Sequence, residues 1–548
     1  MYTSQISMIE DRAKVGLSIE SAARQANVST ATIRNWIKTG YLKQDLNGSV
    51  VITTFENFLA QVVGQVKLTG RANKSQKDSH DHEELSSNFL KKIANVNLNI
   101  EHLIEEYELS LSESFKNKEG IYYTPKNIVL DLLQIDVKSV ANLRFLDPCC
   151  GAGNFIVRAI ELGFKPENIY GYDTDSTAVE LTKRRIFERT GYVSQNIKNA
   201  DFLIESLKPK REFFDCIYTN PPWGKKLAKD EKEKYGALLQ SGKSVDTSSL
   251  FFFACLNCLN TDGELGLLLP DSFFNIAAFE SARIKALSYD ITRLIDYEKP
   301  FKGLMTKAFA FTLKKRTSKA DLESIICSSK GQNYNRSANS FLKNPKSIIN
   351  FQCDSIAAKV IEHVLSIPHI TLSGRANWGL GIVTGNNEKF SKPHLSEGYI
   401  PVFRGADIKK NDLVNPTCFI PKDLSLYQQV APINFYEAQT KLIYKFISTD
   451  LCFFYDTKQR YILNSANMLI PHENFPISAA QLCSLLNSDF LNWLFSELFK
   501  THKVLRSDLE MLPIYSNYFQ KNVDFREDYF LNFLSIQRCD DGSYRVKK

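Results

Sequence analysis

Between about residues 144 and 313, short apolar runs alternate with helical stretches, and this alternation restricts the middle of the chain to a mostly parallel sheet covered on both faces. Arg144 to Asp147, Ile169 to Tyr172, Asp215 to Tyr218 and Leu265 to Leu269 read as strands. Residues 154–162, 176–187, 246–260 and 276–287 read as the helices between them or beside them. Ile291 to Tyr297 and Lys307 to Leu313 lie too close together for a helical crossover. They are expected to pair antiparallel and to finish the sheet with a hairpin. The expected class is a doubly wound α/β domain.

A chain of 548 residues has room for three or four such units. Near the start, Leu17 to Ala26 and Thr30 to Lys38 read as two short helices across the turn Asn27-Val28-Ser29, with Ile33 and Trp36 at the spacing of one buried face. This pattern suggests a helix-turn-helix, and the segment resembles winged-helix modules of the MerR and excisionase type, ending in Thr39-Gly40-Tyr41-Leu42. Arg34 and Asn35 are the candidate DNA contacts on its second helix. Residues 69–88 are nearly devoid of apolar side chains and read as a linker. Within it His80 and His82, with Asp78 and Asp81, are read as a solvated polar run, and no metal is assigned. Beyond about residue 320 the alternation is lost and aromatics sit among Lys and Arg. The expected domains are therefore 1–68, 69–88 as linker, 89–320 as the α/β unit, and 321–548 as a C-terminal α+β unit.

Composition narrows the setting. Apolar residues at 43% and charged residues at 24% are ordinary globular usage, which excludes collagenous and disordered readings. Eleven scattered Cys fit reduced thiols better than a disulfide framework. No signal-like opening and no apolar run near the ~18 residues of a membrane span is present, so the expected location is cytoplasmic. A formal charge of +7 admits a polyanion partner without proving one.

The chemistry starts at Phe145-Leu146-Asp147-Pro148-Cys149-Cys150-Gly151-Ala152-Gly153-Asn154. An acid ends a strand, and two glycines then let the backbone approach a ligand as it enters a helix. The next strand ends in Tyr172-Asp173, placed to accept hydrogen bonds from ribose hydroxyls, and Asp201-Phe202 follow the third strand. A third glycine and a Gly-Lys-Ser/Thr loop are both missing, which counts against NAD and ATP. An adenosine-containing ligand remains.

Asn220-Pro221-Pro222-Trp223 follows the fourth strand and decides the reading. With this loop the sequence resembles the amino-methyltransferases that use S-adenosyl-L-methionine, specifically the adenine-N6 DNA methyltransferases of the TaqI-like group. The residue types suit the reaction. An exocyclic amine has its lone pair delocalised into the ring, and two carbonyl acceptors, from Asn220 and Pro221, push the nitrogen toward sp³ and restore its nucleophilicity. Pro222 stiffens the loop, and Trp223 offers a stacking face to a base taken out of the duplex.

The resemblance extends to Gly120-Ile121-Tyr122-Tyr123-Thr124-Pro125, to Asp262 through Pro270, and to Pro300-Phe301-Lys302. It implies a seven-stranded S-adenosyl-L-methionine-dependent methyltransferase fold in which Tyr123, Thr124, Pro125, Asp147, Pro148, Gly151 and Gly153 border the cofactor. Asp173 would hold ribose, Asp201 the adenine amine, and Phe202 would stack on that adenine. Phe301 would be the second stacking aromatic opposite Trp223, with Phe309 and Phe311 in the strand core. The pairs Cys149, Cys150 and Cys255, Cys258 are read as core or wall residues. Trp223 departs from the commoner Tyr or Phe, which alters pocket shape.

Residues 376–515 resemble the target-recognition domains of the same group, carried by Trp378 to Asn387, Pro401 to Asp407 and Leu505 to Pro513. Arg404, Lys441, Lys445 and Arg506 are of the types that contact phosphate or guanine, and Asn386 and Asn387 of the types that contact adenine. Arg404 and Lys445 are the named DNA contacts. The expected activity is methylation of adenine N6 at a specific site in double-stranded DNA by a monomer, as the modification half of a restriction–modification system with a cognate endonuclease. Cytosine-N4 methylation, a fused methylase–nuclease and protein-glutamine methylation are the alternatives. The short patterns Asp136-Val137-Lys138 and Asp407-Ile408-Lys409 are all that a nuclease could claim, and the C-terminal region argues against a protein substrate.

Overall fold

In the computed structural model, the residues described are 16–26, 30–38, isolated positions between 42 and 55, 85–95, 97–135, 140–301, 304–316, 324–501 and 503–547. The chain divides into two compact units, residues 1–121 and 122–548. The expected turn Asn27 to Ser29, residues 39–41, the linker as far as residue 84 with its two histidines, Asp136 to Lys138, and Lys302 all lie outside the described residues.

In the first unit, α1 (Ile19–Gln25) and α2 (Thr30–Lys38) are the two helices read from the sequence. Ser18 caps α1 by accepting from Ser21 N. Ala22, Ala23, Ile33 and Trp36 are buried together with Leu42, Val50 and Phe55, so the two helices share a small core of their own. Residues 16–17 and 50–51 pair antiparallel beside it. A helix already runs from residue 85, inside the stretch read as linker, and α3 (Ile100–Ser110) and α4 (Glu113–Glu119) follow.

The second unit is built on a mixed sheet. Its strands are β1 (Phe145–Asp147), β2 (Ile169–Asp173), β3 (Ile197–Asn199), β4 (Phe214–Thr219), β5 (Leu259–Pro270), β6 (Asp290–Asp296), β7 (Ala308–Lys314), β8 (Ile325–Ser329) and β9 (Gln332–Arg336). Their spatial order is β9-β8-β6-β7-β5-β4-β1-β2-β3. From β3 to β5 all pairings are parallel, whereas β7 is antiparallel to both β5 and β6. The seven expected strands are present with their terminal hairpin. Two more extend the sheet: β8 pairs parallel to β6 and carries β9 antiparallel at the edge. The sheet therefore runs past residue 320, where the sequence reading ended the α/β unit.

The packing explains why this order holds. Helices α5 (Lys126–Leu132), α6 (Asn154–Glu161) and α7 (Ser176–Thr190) cover one part of the sheet, and α8 (Phe202–Glu205), α9 (Thr247–Cys258) and α10 (Glu280–Leu287) belong to its other core. Nearly every residue of α9 is buried, the pattern of a helix enclosed on all sides. On β5, Gly266 is obligatory, because a Cβ there would lie 2.3 Å from the Tyr218 ring. Arg283 is fully buried; its guanidinium donates to the carbonyls of Phe273, Ile276, Lys346 and Ser347. Of these four charge-assisted bonds, the two to Lys346 and Ser347 tie α10 to the chain that leads into the C-terminal part.

That part holds two small sheets of four and three strands, besides two-stranded pairings of residues 408–409 with 412–413 and 536–538 with 544–546. β10 (Ala376–Leu380), β13 (Lys441–Lys445), β14 (Phe453–Asp456) and β16 (Ala466–Pro471) form an antiparallel sheet in the order β10-β16-β13-β14. β11 (Tyr399–Phe403) lies between β12 (Cys418–Pro421) and β15 (Tyr461–Ile462) in the other. An apolar core that includes α11 (Asp489–Phe499) backs the first sheet. Asn275 Nδ2 donates to Phe499 O at 2.9 Å and Asn350 Nδ2 to Glu497 O at 3.1 Å, so the end of α11 is fastened to the α/β part.

Candidate active site

The glycine turn after β1 is held from three sides. Gly151 and Gly153 have φ of +48° and +85°, a region that side chains other than glycine rarely adopt. Thr182 and Arg185 on α7 secure the turn from outside. Thr182 Oγ1 donates to Gly151 O at 2.8 Å, and Arg185 Nη1 donates to Ala152 O at 2.9 Å and to Asn154 Oδ1 at 2.7 Å. A Cβ on Gly153 would press on Thr182 at 3.0 Å. The segment Tyr123-Thr124-Pro125 lies over the same turn. Asn154 Nδ2 donates to Thr124 O at 3.0 Å, and a Cβ on Gly151 would stand 3.2 Å from the Tyr123 ring. Pro125 then opens α5, with its carbonyl accepting from Ile128 N and Val129 N. Sequence reasoning missed Thr182 and Arg185, which only the fold brings to the turn.

Three acids sit at the strand ends. Asp173 accepts from Gly151 N and from Asp175 N, both at 2.9 Å, so it braces the turn it borders. Asp147 is buried beside Pro148 and accepts from Cys149 N at 3.2 Å. Burial pushes its carboxyl up to about 7, against the lowering effects of Thr219 and the Cys149 N–H. Burial likewise raises Asp173 to about 6, with the Asp175 and Gly151 N–H bonds opposing it. No Lys or Arg forms a salt bridge with either acid among the described residues. Asp201 caps α8 by accepting from Leu203 N at 2.8 Å, and Phe202 is buried between Tyr172 and Phe251. Cys149 and Cys150 border the turn with thiols that burial raises well above their ordinary value, as wall residues rather than nucleophiles.

The loop Asn220-Pro221-Pro222-Trp223 leaves the end of β4. Asn220 Nδ2 donates to Tyr122 O at 2.7 Å, which fixes the orientation of the amide. Its Oδ1 is buried and has no hydrogen-bond partner among the described residues. Such an atom costs free energy unless something donates to it, and here it sits in the loop beside Trp223 with its acceptor capacity open. Pro221 is buried and Pro222 half-buried. Trp223 is buried, and its Nε1 donates to Leu268 O at 3.3 Å.

Phe301 reaches this loop from the β6–β7 hairpin, as the sequence places it. Trp223 and Phe301 meet edge to face, with centroids 5.3 Å apart at 84°. Both also pack against Tyr122, at 5.9 Å and 5.5 Å. Tyr122 was not among the expected site residues, because nothing local in the sequence separates it from its neighbour Tyr123. Phe309 and Phe311 are buried in β7.

The basic and amide residues named in the C-terminal part are dispersed. Lys441 is fully buried in β13, donates to Tyr436 O and pairs with Asp456 at 2.8 Å, so it is no DNA contact. Burial pushes the Asp456 carboxyl up, but Lys441, the Arg460 N–H and the Arg460 guanidinium outweigh this and hold it below its ordinary value. Arg404 is half exposed. Its Nη2 donates to Thr417 Oγ1 at 2.6 Å, and its Nε lies 3.4 Å from Asp407. Asp407 is thus engaged in a turn and is no metal-binding acid of a nuclease. Lys445 ends β13 with no carboxylate at salt-bridge distance among the described residues. Asn386 caps a short helix, and Asn387 Oδ1 accepts from Thr384. Arg506 pairs with Glu510 and lies over the Trp378 ring at 5.8 Å. In the first unit, Arg34 is exposed on α2, the helix that also carries Asn35.

The chain is similar to known proteins. Residues 99–292 match the N-6 DNA Methylase family and residues 400–514 the TaqI-like C-terminal specificity domain. The chain is 49% identical over 394 residues to the Type II methyltransferase M.VspI of Vibrio sp. (strain 343), a match that covers 72% of this chain and 96% of that protein. It is 28% identical over 239 residues to the Type II methyltransferase M.BanIII of Aneurinibacillus aneurinilyticus, covering 38% and 41%. Among solved structures, the ATP-dependent Type ISP restriction-modification enzyme LlaBIII bound to DNA aligns over 74% of this chain and 40% of its own at 13% identity, with a TM-score of 0.48.

Proposed function

The chain belongs to the N6-adenine DNA methyltransferases with a TaqI-like specificity domain, and from that premise we propose how its residues divide the work. It is a DNA adenine methyltransferase of the restriction–modification kind. Family membership implies S-adenosyl-L-methionine as the methyl donor, which when bound supplies a methyl group on a sulfonium.

The turn suits such a ligand. Asp147 is a buried acid and Asp173 a half-buried one; neither has a Lys or Arg at salt-bridge distance among the described residues, and a positively charged sulfonium compound adds positive charge beside them. Asp147 with Pro148 would border its amino-acid end, Asp173 its ribose and Asp201 its adenine amine, with Phe202 against that adenine. Gly151 and Gly153 leave room for it, and Tyr123, Thr124 and Pro125 cover it.

The observation that carries the reading is the orphaned Asn220 Oδ1. A flipped adenine presents two N–H bonds. Asn220 Oδ1 accepts one and Pro221 O the other, which localises the lone pair on N6 and aims it for attack. Trp223 stacks on the base, and Pro222 keeps the loop stiff. Arg404 and Lys445 contact the duplex from the specificity domain, and Arg34 and Asn35 add contacts from the N-terminal helices. The protein acts on double-stranded DNA as a cytoplasmic monomer, with a cognate restriction endonuclease as its counterpart.

The test is incubation with labelled S-adenosyl-L-methionine and unmodified bacterial genomic DNA, read by nucleoside mass spectrometry and single-molecule sequencing. N6-methyladenine at one recurring motif is the expected result. Label on cytosine, or on protein alone, would overturn it.

A further inference from the structure

Two rings that stack on opposite faces of one planar base must lie nearly parallel, with centroids roughly 7 Å apart, twice the optimal carbon–carbon separation. Trp223 and Phe301 depart from this most. Their planes cross at 84° and their centroids are 5.3 Å apart, so an edge of one ring points at a face of the other. The Tyr122 ring is tilted by 43° to Trp223 and stands 5.9 Å from it, the widest of the three gaps in this cluster. Opening it to admit a base takes about 1 Å and half the rotation that the Trp223–Phe301 pair would need.

The anchoring of the two residues fits this movement. Trp223 is buried and tethered through Nε1 to Leu268 O. Tyr122 is only partly buried, lies in an irregular segment ahead of α5, and is held to the catalytic loop through its backbone carbonyl, which accepts from Asn220 Nδ2. Its carbonyl keeps Asn220 Oδ1 aimed while its ring stands beside Trp223. We propose that Tyr122, rather than Phe301, supplies the second stacking face for the flipped adenine, and that Phe301 meets the edge of the base. The proposal rests on the reading of the site as an adenine methyltransferase. It makes one residue serve the reaction twice, through its main chain toward Asn220 and through its ring toward the base.

The experiment uses the full-length protein and a duplex that carries its own methylated motif, with 2-aminopurine in place of the target adenine, whose emission is quenched by stacking. Four proteins are compared: wild type, Tyr122→Ala, Tyr122→Phe and Phe301→Leu. Tyr122→Ala is expected to raise the emission of the bound duplex several-fold and to slow single-turnover methyl transfer to the unsubstituted duplex about tenfold, within the range found for loss of one base-stacking aromatic. Its affinity for S-adenosyl-L-methionine is expected to stay unchanged, and Tyr122→Phe to restore both quenching and rate. Phe301→Leu is expected to keep the quenched emission. Emission that rises in Phe301→Leu and not in Tyr122→Ala would overturn the assignment, as would wild-type transfer by Tyr122→Ala. Wild-type protein separates the two ideas, because its failure to methylate adenine would overturn the parent reading and not the choice between the rings.

Discussion

Buried charge is used in opposite ways in the two halves of the second unit. In the specificity part, Lys441 and Asp456 are both fully buried, and each is answered by the other, with Arg460 at 2.6 Å and Tyr436 O completing the set. In the catalytic part, Asp147 is buried and Asp173 half-buried; backbone N–H groups donate to both, neither has a Lys or Arg at salt-bridge distance among the described residues, and their carboxyls rise to about 7 and about 6 although the Lys225 charge pulls Asp173 the other way. A closed set of charges belongs to the architecture. An open one costs stability and is kept where a ligand completes it.

Removing one partner from the closed set has the largest expected effect on folding. Lys441→Met strands Asp456 in a buried position and is expected to lower the unfolding free energy by about 3 kcal/mol, the low end for such a deletion because Arg460 still faces the carboxylate. Chemical denaturation of wild type and variant measures it. Asp147→Asn is the counterpart, since it removes a buried charge that nothing answers, and it is expected to leave the denaturation midpoint unchanged or raise it. Equal losses in the two variants would break the distinction.

Asn220→Ala removes the acceptor that waits at the open site without touching either charge set. It is expected to lower single-turnover methyl transfer by at least about 10²-fold, the cost of losing one hydrogen bond made in the transition state. DNA retention in a mobility-shift assay and cofactor affinity by calorimetry are expected to hold. Turnover near that of wild type would remove the role assigned to Asn220 Oδ1.

The same contrast explains what could be read from sequence. The glycine turn and the strand-end acids were legible because each is local: Gly151 and Gly153 follow Asp147 directly, and Asp173 ends the next strand. Tyr122 was not, because its significance lies in Trp223 and Phe301, which are far from it in sequence and meet it only when β4 and the β6–β7 hairpin are in place. The buried place of Lys441 was hidden for a related reason. A lysine reads as a surface residue until the strand partner that carries Asp456 is known. The edge strand β9, Gln332–Arg336, escaped notice because its polar sequence lacks the apolar alternation that marks a half-buried strand.

The open acids also make cofactor binding depend on pH. Below about 7 the Asp147 carboxyl holds a proton in the ligand-free protein, and on the proposed reading that proton must leave before the carboxylate can border the positively charged cofactor. Affinity for S-adenosyl-L-methionine is therefore expected to rise by up to about tenfold per pH unit as pH approaches 7 from below, and to level off above it. In the free protein the sign for stability is the reverse. The folded state keeps a proton that the unfolded chain has already released, so stability falls as pH rises from about 4 to about 7. Calorimetric titrations across this window test the first statement. Asp147→Asn is expected to flatten the slope to the smaller contribution of Asp173, and an unchanged slope in that variant would assign the proton elsewhere.

The smallest expected effects lie on the specificity side, and they separate two cations that look alike in sequence. Lys445 faces no carboxylate at salt-bridge distance among the described residues, and a free ammonium at a strand end is placed to displace one counterion from a DNA phosphate. Lys445→Ala is expected to reduce the slope of log affinity against log salt by about 0.9, by the same amount on cognate and unrelated duplexes. Arg404 is held by Thr417 and Asp407 in a fixed direction, as a side chain that reads a base edge must be. Arg404→Ala is expected to leave the salt slope nearly unchanged and to narrow the gap in affinity between cognate and unrelated DNA by roughly tenfold, within the range for one lost base contact. Fluorescence anisotropy at several salt concentrations measures both. A salt slope that falls for Arg404→Ala with specificity intact would turn Arg404 into a second phosphate contact and leave the reading of sequence to other residues of the two small sheets.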